Sequence, residues 1–74
     1  MTAYAVLYRN RHTDPEIRLY LTLQAANRWF DEVFRAFPEA KESPRGSWLR
    51  HAQLTEEGDD IRMELLPLND PLER

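Results

Sequence analysis

Four carboxylates crowd into five residues at Glu56-Glu57-Gly58-Asp59-Asp60, the densest run of one chemistry in this chain. Paired carboxylates divide general-acid from general-base work only when burial and opposed geometry split their pKa values. Adjacent positions in a solvated turn offer neither. His12 and His51 lie far apart, and there is no cysteine to complete a ligand set. Metal ions need ligands clustered at characteristic spacings, so no metal site is expected. Ser43 and Ser47 are the only serines, and neither sits in a glycine-flanked elbow that would present a nucleophile. The two glycines, Gly46 and Gly58, do not open a helix, so a phosphate cradle is missing as well. The expectation is a protein with no catalytic residues and no cofactor, acting by binding.

Charge supplies the first candidate surface. Residues 1–55 carry a balance of +2 and residues 56–74 a balance of −5, for a net charge of −3. Glu56, Glu57, Asp59 and Asp60 would place negative potential at a hairpin tip, suited to a protein partner with a basic surface. Complementary charge of this kind steers encounter and sets register. Asp31 and Glu32 would extend the acidic surface. The same turn would also aid solubility and discourage unwanted strand pairing.

The elements that must position these residues follow from hydrophobic spacing. Residues 3–9 form an apolar run rich in Tyr and Val that reads as a strand, ended by Asn10, Thr13, Asp14 and Pro15. Residues 16–22 alternate, with Ile17, Leu19 and Leu21 on one face and Glu16, Arg18, Tyr20 and Thr22 on the other. That period of two marks a strand buried on one side. Ala26, Trp29, Phe30, Val33, Phe34 and Phe37 then recur at spacings of three and four, the stripe of an amphipathic helix over about 23–37. Thr22 is placed to cap it, and Pro38 to end it. Residues 38–46, with two prolines and a glycine, read as a connector. Residues 47–55 and 60–66 read as two further strands around the acidic turn. The tail from Leu68, which contains Pro71, reads as irregular.

The order strand, strand, helix, strand, strand predicts one α+β domain over 1–74. It would be a two-layer ββαββ fold, with a four-stranded antiparallel sheet and one helix on a single face. Ile17, Leu19, Leu21, Ile61, Met63 and Leu65 are expected under the helix. The first strand is ambiguous: either Tyr4, Val6 and Tyr8 face the helix, or Ala3, Ala5 and Leu7 do. In the second case tyrosines would join Arg18, Tyr20 and Arg62 on the open sheet face. Such a face could stack bases and hold phosphates, which makes a nucleic-acid regulator the alternative function.

At 74 residues, burial covers only roughly 60% of the unfolded surface, and stability is marginal. Without disulfides, the eight aromatic residues or self-association into a homodimer must compensate. No run approaches a membrane span of about 18 apolar residues, and the N-terminal residues lack the basic start of a signal peptide. A cytoplasmic protein is expected. In size, acidity, absence of cysteine and ββαββ layout, the chain resembles the small phage-encoded inhibitor proteins, anti-CRISPR proteins among them. The resemblance spans the whole chain and rests on no motif, so it assigns no residue. It implies stoichiometric inhibition of a nucleic-acid-binding effector, such as a CRISPR effector complex.

Overall fold

The computed structural model describes residues 1–44, 46 and 48–68. Ser47 and the expected irregular tail beyond Leu68 lie outside the described residues. The elements are β1 (Thr2–Arg9), β2 (Glu16–Tyr20), α1 (Leu23–Arg35), β3 (Lys41–Glu42), β4 (Arg50–Gln53) and β5 (Asp60–Pro67). All pairings are antiparallel, in the order β2-β1-β5-β4-β3. The α+β class is as expected, but the sheet has five strands rather than four. The extra strand, β3, lies in the segment expected to be only a connector. After the helix, the Ala40 N–H donates to the Phe37 carbonyl at 3.1 Å and turns the chain back. Lys41 and Glu42 can then pair with Gln53 and Ala52, and the Ser43 N–H donates to the His51 carbonyl at 2.7 Å.

The helix starts where Thr22 predicts. Its hydroxyl accepts the Ala25 N–H at 3.2 Å, satisfying one of the open amides of the first turn. It ends at Arg35, two residues before the expected limit, because the Ala36 and Phe37 amides turn to the Val33 and Phe34 carbonyls in a tightened last turn. Ala26, Trp29 and Phe30 are buried, and Val33, Phe34 and Phe37 pack around them. Below lie Val6, Ala52, Leu54, Ile61 and Met63, also buried. β4 is shorter than the span 47–55. Trp48 and Leu49 enter it through a bend, and Leu54 leaves it by donating to the Asp59 carbonyl at 2.8 Å.

The main correction concerns β2. Its apolar set does not meet the helix: Ile17 is 63% exposed, Leu19 55% and Leu21 70%. The cause is the parity of β1. Val6 is fully buried under the helix, and the Tyr8 ring meets Trp29 and Phe37 edge-on, each at 6.3 Å between centroids. With Tyr4, Val6 and Tyr8 on the helix face, their register partners Tyr20, Arg18 and Glu16 share that face. Because side chains alternate, this choice turns Ile17 and Leu19 to the other side. The Arg18 guanidinium covers the Trp29 ring at 4.1 Å, so a cation and an aliphatic stem close the core edge where a leucine was expected. Leu65 is on the helix face but 51% exposed. Beside Leu23 it lines a shallow groove of about 350 Å³ with Tyr4, Leu49, Arg50 and Met63.

Candidate interaction surface

The acidic turn is built from β4, β5 and the β1–β2 loop. Gly58 takes φ of 110°, a conformation open to glycine and strained for other residues. Asp59 is buried. Its carboxylate accepts the Arg11 backbone N–H at 2.8 Å and the Thr55 hydroxyl at 3.1 Å. The Arg11 amide, reinforced by Thr55, holds the Asp59 carboxyl below its ordinary range. Asp60 stands opposite Arg9 in the sheet register and receives a two-pronged guanidinium contact at 2.9 and 3.1 Å. His51 Nε2 lies 3.3 Å from its second oxygen. Burial pushes the Asp60 carboxyl up, but Arg9 and His51 together outweigh it and the net direction is down. Arg11 also pairs with Glu57. Three of the four acids of the turn are therefore engaged within the chain. They lock the β4–β5 turn to the β1–β2 loop, and Glu56 is left at the exposed end.

The two helix acids do not join this cluster. Asp31 pairs with Arg50 at 3.0 Å, and Arg50 also grips Glu42 through two contacts at 2.8 and 2.9 Å. Arg50 in turn lies over the Phe30 ring at 4.0 Å, as Arg18 does over Trp29. Glu32 is exposed. Four of the six expected acidic contact residues, Glu57, Asp59, Asp60 and Asp31, are thus held by partners within the chain at two separate places, and Glu56 and Glu32 are exposed, so the six do not form one continuous knob.

The residues of the alternative nucleic-acid face do not come together either. Arg18 and Tyr20 lie on the helix side, where Tyr20 packs against the core. Arg62, flanked by buried Ile61 and Met63, points to the opposite side, 5.5 Å from the Trp48 ring. Trp48 also meets His51 edge-on at 5.5 Å. Both imidazoles are occupied within the chain, since His12 accepts from the Arg11 guanidinium at 3.0 Å. Among the described residues, no three His, Asp or Glu side chains gather so as to hold a metal ion. No described helix is long and apolar enough to cross a membrane.

The sheet face away from the helix divides in two. Over β5 and β4 it carries Asp60, Arg62, Glu64, His51 and Gln53, a charged and polar half. Over β1 and β2 it carries Ala5, Leu7, Ile17 and Leu19, with Ala3 buried, Leu21 just past the strand end, and the one charge, Arg9, at the far end of β1 paired with Asp60. Leu66 of β5, opposite Ala3, adjoins this apolar half and is 39% exposed. The apolar half ends at β2, an edge strand with one row of backbone donors and acceptors unpaired within the sheet. The alternation at 16–22 marks these residues as one set. Which way the set faces depends on β1, whose sequence allows both parities.

The chain matches no protein-family model, no curated protein and no solved structure.

Proposed function

We infer that this protein is a non-enzymatic binding module that acts by stoichiometric contact with a protein, in the cytoplasm, through the apolar half of its open sheet face. The observation that carries this reading is the outward exposure of Ile17, Leu19 and Leu21 at a sheet edge. Their exposed fractions together equal about two fully exposed aliphatic side chains. Burying that surface yields about 3–6 kcal/mol at about 1.5–3 kcal/mol per side chain. Association costs about 4–15 kcal/mol in lost freedom. The side chains alone therefore hold a partner only weakly, and the open backbone row of β2 supplies the remaining attachment by strand addition. The internal pairing of Asp59, Asp60 and Glu57 argues for this face over the acidic turn as the main contact. Resemblance in size and layout to phage-encoded inhibitors supports the more specific form of the proposal, inhibition of a nucleic-acid-binding effector.

Affinity capture from the native host tests the reading. Wild-type protein should retain one partner in fixed ratio, Ile17→Lys with Leu19→Lys should lose it, and Glu56→Lys should keep it. A partner retained equally by the double variant and the wild type would refute the assignment of this face.

A further inference from the structure

We propose that residues 10–20 form a strap that opens from β1 while the rest of the domain stays folded, and that Asp59 is its latch. Every buried side chain among the described residues comes from β1, α1, β4, β5 or the turn between the last two, and none from residues 10–22. Fixing a backbone in one conformation costs free energy at each residue. Over 10–20 that cost is offset by five pairs with β1 and a few side-chain contacts, not by core burial. Segments with few buried apolar contacts open at a lower free energy than the whole fold.

The strap is fastened at few points. On the helix side Arg18 lies over the Trp29 ring at 4.1 Å, and Tyr20 packs at the core edge. The loop is folded on itself by Asn10, whose carbonyl accepts the Thr13 N–H at 3.1 Å and whose side-chain oxygen accepts the His12 N–H at 2.9 Å. Arg11 ties the loop to the β4–β5 turn. Its ion pair with Glu57 joins two exposed side chains, and such pairs contribute little. Its backbone N–H donates at 2.8 Å to the carboxylate of Asp59, which is only 4% exposed, and a charge-assisted bond of this kind is the stronger tie. Opening breaks that bond but leaves Asp59 with the Thr55 hydroxyl of its own turn. Both ends of the strap are anchored independently of β2. Arg9 stays in the β1–β5 ladder beside Asp60, and Thr22 stays at the helix cap. The open form presents the free edge of β1 and the Trp29 ring that Arg18 covers.

Native-state hydrogen exchange at neutral pH tests the strap, read residue by residue by NMR in urea below the unfolding transition. Along β1, alternate amides point to β2 and to β5. Relative to intrinsic rates, the β2 amides and the β2-facing amides of β1 should exchange about tenfold or more faster than the β5-facing set. Their rates should also respond less to urea, because strap opening exposes less surface than global unfolding. Asp59→Asn keeps an acceptor oxygen but not its charge, and should speed the strap amides by about 3–10-fold. Asp31→Asn, at the Arg50 pair on the helix, should leave them unchanged. Equal protection of the two amide sets of β1 overturns the strap. Strap amides that Asp59→Asn fails to speed, or that Asp31→Asn speeds equally, overturn the latch.

Discussion

Truncating Leu19 and Met63 separately tests the parity of the sheet, on which the interaction surface depends. Both residues belong to alternating strands, and hydropathy alone would bury both. In the fold Met63 is fully buried, whereas Leu19 is 55% exposed. Met63→Ala removes a core side chain and leaves a cavity, at a cost of about 2–5 kcal/mol. Leu19→Ala gives up less than half the burial of one leucine, about 1 kcal/mol or less. A domain of 74 residues is stable by about 4–11 kcal/mol, so the first change removes a large part of the total and the second does not. With a urea slope near 1 kcal/mol/M for so small a chain, the midpoint should fall by about 2–5 M for Met63→Ala and by no more than about 1 M for Leu19→Ala. The assay is equilibrium urea unfolding at low micromolar protein, where self-association contributes least. Equal midpoint losses, or the larger loss at Leu19, would refute the β1–β2 register and with it the apolar half-face.

Stability should hold from pH 7 to about pH 5 and then decline as the pH falls below about 4. The Asp59, Asp60 and Glu42 carboxyls are all held below their ordinary values of 3.8, 3.8 and 4.5 in the folded chain, so their stabilisation is present above those values and is lost as acid protonates the folded form. Thermal unfolding at several pH values reads this, Asp59→Asn should flatten part of the decline, and a profile unchanged down to pH 2.5 would contradict it. Gly58→Ala should cost about 1–2 kcal/mol from backbone strain alone, because φ is 110° and a new Cβ would touch nothing within 4 Å; an unchanged urea midpoint would count against the turn geometry.

The helix was legible in the sequence because its signal is local. Ala26, Trp29 and Phe30 lie within one turn of each other, and the Thr22 cap sits just before them. The strands expected over 3–9, 16–22 and 60–66 were legible for the same reason, although the second ends at Tyr20. Alternation marks a strand whichever side it buries. β3 was not legible, since two residues, Lys41 and Glu42, carry no period and gain strand geometry only by lying beside Gln53 and Ala52. The acidic turn was visible as a run of charge, but its neutralisation was not. Arg9 and Arg11 are about fifty residues away in the chain and reach Asp60 and Asp59 only through the β1–β5 pairing.

The residue types by themselves determined the inventory of this protein: one helix with an aromatic stripe, alternating strands, no cysteine, and a tip rich in carboxylates. They also determined that Ile17, Leu19 and Leu21 act as one set. Only the tertiary structure decided which way that set faces. A strand of period two has two equivalent sides, and the choice passed to β1, where Val6 and the rings of Tyr4 and Tyr8 pack against the helix better than two alanines and a leucine would. That packing, made between residues more than twenty positions apart, moved the expected core of β2 to the surface.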